Sequence, residues 1–300
     1  MKFLKITTLT ILFCLVSCEK NPDNPIDNPI DNPTDEPTET TQSEYITQVF
    51  DYVYAPGQHA DLVSLTDTAY FTGNPAEHDK WLYLGGFGGY VIAGFDHNIK
   101  NHEGADFEVF ALPGVSPEPA IVYVMADDNK DGLPNDTWYE LKGNQTDNSK
   151  RNYWLRYYRP KNSDENISWR DSEGAFGELV SGYNTTTTFG WWHSSQTADS
   201  ITFFGTRLPD AYENEGTDDS QYWVVPKDKF TWGYAKNNYG TDYNKEFSSN
   251  SFDISNAIDN TGKSVELTEI RFIKIQTAVF QQAGWLNEVS TEVRGAKEIK

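Results

Sequence analysis

Cysteine is nearly absent from this 300-residue chain: Cys14 and Cys18 are the only two, and both lie near the N-terminus. Everything downstream therefore lacks a disulfide, a thiolate nucleophile and a cysteine-based metal framework. Histidine is scarce too, five in all. Neither an HExxH zinc signature nor a GxSxG nucleophile elbow occurs. Positive charge is in short supply: 24 Lys and Arg against 45 Asp and Glu leave a formal net charge of −21. A surface of that sign repels phosphate backbones, which disfavours nucleic acid as a partner. No stretch sustains a 3.6-residue apolar period, which argues against a helical architecture.

What the chain does have begins with Lys2 and Lys5, followed by an apolar run from Ile6 to Val16. That run falls short of the roughly 20 residues needed to span a bilayer, so residues 1–17 read as a signal peptide. It ends in Leu15-Val16-Ser17-Cys18, which resembles the lipobox of bacterial lipoproteins. The resemblance implies lipidation of the Cys18 thiol and cleavage before it, with Cys14 leaving in the signal. Residues 18–44 then repeat Asp, Asn and Pro with almost nothing apolar to bury. Proline at every fourth position blocks helix and the aspartates repel one another, so an extended acidic linker is expected.

From Tyr45 the pattern becomes short β-rich runs separated by Gly, Asn, Asp and Pro, with 9 Trp, 17 Tyr and 17 Phe in the chain. Expected strands include 46–54, 81–84, 90–95, 107–111, 120–125, 138–141, 153–158, 200–204, 252–254 and 265–275. In Tyr153-Trp154-Leu155-Arg156-Tyr157 the tyrosines and the leucine share one face. This pattern predicts one all-β domain over residues 45–300, an antiparallel sandwich of jelly-roll type with long loops around 206–250.

Two constellations stand out. DDNKDGLPND, residues 127–136, sets Asp127, Asn129 and Asp131 at alternate positions before Gly132, the opening of a calcium loop. Trp138 stands where a bidentate glutamate would be, so Asp136 is the expected late ligand and structural Ca²⁺ the expected ion. The bland reading is a solvated Asp/Asn/Gly turn. The second constellation is aromatic: Trp191, Trp192 and His193, with Trp223 and Trp232 further on. Neighbouring residues in a strand face opposite ways, so one of Trp191 and Trp192 is expected to be exposed, a platform for a sugar or another flat polar ligand. His97 and His102, with Asp96 and Glu103, lack a zinc spacing and read as a loop. GGFGG at 85–89 is followed by strand pattern, not helix, and reads as a tight β-connection where backbones approach closely.

The segments YVYAPGQHA (52–60), LGGFGGYVIAGFDHNIKN (84–101), GADFEVF (104–110), EPAIVYVMADDNKDGLPNDTWYEL (118–141), FIKIQTAV (272–279) and GWLNEVSTEV (284–293) together resemble Bacteroidetes cell-surface lipoproteins associated with PKD-like repeats. That resemblance implies a galactose-binding-like jelly roll held by its lipid at the outer membrane, facing outward. It further implies non-catalytic capture of a glycan or corrinoid for a TonB-dependent transporter. A carboxylate-based glycoside hydrolase and an adhesive surface protein are the alternatives.

Overall fold

The computed structural model describes residues 41–65, 67–114, 116–162, 165–180 and 191–300. The signal peptide, Cys18 and the linker up to residue 40 lie outside the described residues. Alternation sets the strands: along Lys150–Tyr158, Tyr153, Leu155 and Tyr157 are buried while Asn152 and Arg156 face out. Strands β1 (Gln48–Val53), β2 (Leu82–Tyr83), β3 (Tyr90–Lys100), β4 (Phe107–Ala111), β5 (Ala120–Met125) and β6 (Tyr139–Leu141) come first. Next are β7 (Lys150–Tyr158), β8 (Ile167–Asp171), β9 (Phe176–Leu179), β10 (Ser200–Arg207), β11 (Glu213–Asn214) and β12 (Trp223–Val224). The last are β13 (Tyr243–Asn244), β14 (Ser249–Phe252), β15 (Ala257–Ile258), β16 (Glu269–Thr277) and β17 (Glu292–Glu298).

These strands build an all-β, antiparallel sandwich. One layer is the sheet β1-β3-β16-β5-β6-β15 and the other is β13-β14-β4-β17-β2. Between them lies the main core, with Val91, Ala93, Val122, Ile273 and Ile275 from the first sheet against Phe107, Val109, Phe252, Val293 and Ala296 from the second. Fully burying such a Val, Ile or Phe contributes roughly 1.5–3 kcal/mol, so this face-to-face contact is what fixes the two layers.

A third sheet, β10-β7-β8-β9, was not anticipated as a separate layer. Its inner face, with Leu155, Tyr157, Ile167 and Phe203, forms a second core with Ala55, Phe87, Trp191 and Trp192. The stretch after β10 folds as loops with only short pairings, β11 with β12 and β13 with β14. It is held by a further cluster that includes Tyr212, Phe230, Tyr234 and Val279.

The glycine segment behaves as a crowded β-connection between β2 and β3. A Cβ on Gly89 would stand 1.7 Å from the Leu84 carbonyl oxygen, and one on Gly88 (φ +93°) 2.1 Å from Phe203 Cβ. Only hydrogen fits there.

Residues Thr41–Lys300 form one compact unit. Its start is sewn to its last strand: Tyr45 bridges Lys297, and the Glu298 amide donates to the Glu44 carbonyl at 2.7 Å. Among the described residues, no helix is long and apolar enough to cross a membrane.

Candidate ligand groove

Trp154 on β7 and Phe204 on β10 are direct cross-strand partners. Because Leu155 and Phe203 turn inward, these two rings point away from the core, and Phe204 is 66% exposed. They form one wall of a groove of about 350 Å³. Trp138, just before β6, and Tyr123 on β5 add further aromatic surface, and Lys274, Arg151, Glu140 and Asp259 supply charge. Aromatic walls with a few converging polar groups suit a ligand with an apolar face and a polar edge.

The polar groups differ in how they are held. Glu140 is buried; burial raises its pKa, opposed by the Thr206 hydroxyl, which donates to Oε2 at 2.5 Å, and by Arg151. Arg151 Nη2 is 3.9 Å from Glu140 Oε1, a loose ion pair. Asp259 Oδ1 accepts from the Thr261 amide and hydroxyl and the Lys263 amide, which hold its carboxyl below the ordinary range. Lys274 lies between two rings, its Nζ 4.7 Å from the centre of Tyr90 and 5.2 Å from that of Tyr123. Burial lowers its pKa to about 8, with Asp51 opposing.

The aromatic residues singled out in the sequence are elsewhere, and the expected platform is corrected. Trp191 is fully buried and Trp192 is 5% exposed. They lie in a bend, not a strand, so neighbouring side chains need not diverge and both turn into the core. His193 is buried as well, its Nε2 on the Val63 carbonyl at 2.8 Å and its Nδ1 on Ser195 Oγ at 2.7 Å. Trp223 packs on another cluster, with Nε1 donating to Gln221. Trp232 is half-buried. The preceding segment, 185–190, lies outside the described residues. Trp138 and Trp154, the rings that do line a groove, fall in expected strands, and alternation along β7, which places Trp154 opposite the buried Tyr153 and Leu155, is the signal that marks Trp154 as outward-facing.

In the acidic loop, Lys130 (φ 59°) and Gly132 (φ 74°) take the left-handed conformations that close a tight turn. Asp127 accepts the Gly132 amide at 3.1 Å and pairs with Arg271 at 3.2 Å. Asp136 accepts the Asp128 amide, Asp131 the Leu133 amide, and Asn129 Oδ1 the Asp131 amide. Asn129 Nδ2 donates to Asp131 and Asn135; the four side chains lie in one loop and each carries an oxygen of the kind a hard cation takes. Among the described residues, no group of three or more His, Cys, Asp or Glu is gathered as a metal centre.

His97 is on β3, not in a loop. It hydrogen-bonds Asp96 at 2.8 Å and Glu298 at 3.1 Å, while His102 neighbours Asp106. The open cleft there, about 1140 Å³, is lined by charged groups that include the pairs of Lys100 with Glu269 and of His97 with Asp96 and Glu298.

Three of the segments quoted for the family resemblance meet at one buried residue, Glu288. Its Oε1 accepts the Gln58 amide at 2.7 Å, and it lies beside Gly57 and Gly86. Among the described residues, Glu288 Oε2 and Asn287 Oδ1 have no hydrogen-bond partner. Burial raises the Glu288 pKa to about 8. Nearby, Lys236 stands 3.7 Å from Glu118 and 3.6 Å from Glu292.

No protein-family model and no curated protein matches this chain.

Proposed function

We propose that this protein is a non-catalytic surface lipoprotein, lipidated at Cys18, that captures a glycan or corrinoid for an outer-membrane transporter of the TonB-dependent kind. The observation that carries the capture reading is the groove lined by Trp154, Phe204 and Trp138 together with Lys274, Arg151 and Glu140. Rings of this kind stack on the apolar face of a sugar or macrocycle while the charged groups read its polar edge. The lipobox-like residues, the acidic linker and the family resemblance support the location at the outer membrane.

Calcium belongs to the same proposal in a bracing role. Asp127, Asn129, Asp131 and Asp136 would hold the ion and lock the loop that leads into Trp138, one wall of the groove.

The test is a binding screen of the purified protein against neutral and acidic glycans, cobinamide and cobalamin. Tight binding without turnover, lost in Trp154→Ala, supports capture. Absence of binding to any probe rejects it and favours adhesion. A glycosidase is the second reading, because Glu140, whose pKa burial raises, and Asp259, whose pKa its hydrogen bonds from Thr261 and Lys263 lower, line one groove. Release of shortened glycan would select it.

A further inference from the structure

Lys274 sits near the middle of β16, on the face of the six-stranded sheet that turns away from the sandwich core. The side chain lines the groove, and its Nζ makes no hydrogen bond or ion pair with any described residue. The charged and titratable groups facing it from the surrounding strands have other partners or weak ones. Asp51 on β1 accepts the Tyr90 hydroxyl of β3 at 2.7 Å. Tyr123 on β5 receives the Thr206 amide, and Glu140 on β6 receives the Thr206 hydroxyl. Arg151 on β7 is a second cation lining the groove, only loosely matched by Glu140. Four charged side chains line the groove, Lys274 and Arg151 against Glu140 and Asp259; the carboxylates are held by Thr206 and by Thr261 and Lys263, which leaves the two cations the less satisfied.

We propose that Lys274 receives an anionic group of the ligand, so that the groove takes acidic saccharides, bearing uronate carboxylates or sulfates, in preference to neutral ones. This deepens the capture reading and rests on it. The tyrosine faces stabilise an ammonium by cation–π attraction, but they leave its N–H donors without an acceptor. A carboxylate or sulfate oxygen supplies that acceptor, and a charge-assisted hydrogen bond in a partly dry groove is among the stronger polar contacts. The aromatic walls then hold the sugar ring to which the anion is attached. Because burial lowers the amine to about pH 8, an arriving anion pulls its titration back up. Binding therefore takes up a proton above pH 8, and affinity is flat below pH 8 and falls above it.

The experiment is calorimetry of the purified protein with four probes: tetragalacturonate, a sulfated galacto-oligosaccharide, neutral galactotetraose and cobinamide. Each is titrated from pH 6 to pH 9.5 with wild type, Lys274→Met and Lys274→Arg. The expected result is that one or both acidic probes bind at least about ten-fold more tightly than the neutral one. The carboxylate and sulfate arms show which anion fits. Lys274→Met removes that advantage, and Lys274→Arg keeps it but loses the decline above pH 8. Neutral and acidic probes bound alike, or a Lys274→Met variant with undiminished preference, overturns the anion assignment and leaves capture standing. Should Lys274→Met not fold, a wild-type affinity that stays constant through pH 9.5 overturns it equally. Failure of every probe overturns both.

Discussion

Glu288 Oε1 accepts the backbone amide of Gln58 at 2.7 Å, across 230 residues of chain and inside the protein. The carboxyl is buried and favoured in its neutral form, with a pKa of about 8 against an ordinary value of 4.5. Between those two pH values the folded state holds a proton that the unfolded chain has lost, so stability falls as pH rises from about 4.5 to about 8. Glu288→Gln, which keeps the shape without the titration, is expected to flatten that slope and to exceed wild type by a few kcal/mol near pH 8. Denaturant unfolding at pH 5 and pH 8 measures it. Equal slopes in the two proteins would show that Glu288 is not the group responsible.

The GGFGG connection gives a second prediction, with an internal control. Gly89→Ala forces a methyl against the Leu84 carbonyl oxygen, so a loss of more than about 3 kcal/mol or failure to fold is expected. Gly104 has a positive φ, +95°, with open space around it, so Gly104→Ala should cost only about 1 kcal/mol from backbone strain. Melting temperatures of the two variants separate crowding from strain.

The two tryptophan environments should part company under mutation. Trp191→Ala removes a fully buried side chain and is expected to cost about 3–5 kcal/mol. Trp154→Ala acts on a half-buried groove ring, should change stability by about 1 kcal/mol or less, and should weaken glycan binding by ten-fold or more. Thermal melts and binding titrations on the pair test this; ligand affinity lost in a well-folded Trp191→Ala would move the site.

Calcium binding at Asp127–Asp136 predicts a chelator-sensitive melt. At an excess of about ten-fold over its dissociation constant, the ion would add roughly 1.4 kcal/mol to stability. Asp131→Ala should abolish that increment. A melting curve indifferent to both calcium and chelator removes the ion from the loop, leaving it the hydrogen-bonded turn formed by Asp127, Asn129, Asp131 and Asp136.

Much of the sandwich was legible in the sequence because its strands alternate or are apolar throughout. β4 and β5 fall where alternation and apolar content place them, and Tyr153, Leu155 and Tyr157 share the buried face expected of them. β8 and β9 were missed: Ile167 and Leu179 are their only fully buried apolar residues, too few to make a pattern. β17 was missed for another reason, since Glu292 and Glu298 are buried within it. The groove was illegible because its walls come from strands distant in sequence. Trp154 meets Phe204 only through pairing across fifty residues, and Lys274 meets Tyr123 only because β16 lies between β3 and β5. At Trp191 and Trp192 strand alternation does not hold because the segment bends.

The stitching of Tyr45 and Glu44 to Lys297 and Glu298 has a mechanical consequence. β17 lies inside the five-stranded sheet, between β4 and β2, not at its rim. A drag on the chain ahead of Ser43 is thus handed to an interior strand bonded on both sides. The load spreads through the sheet instead of peeling off an outer hairpin, as a mooring bolted through a hull rib spreads strain that a rail would not survive.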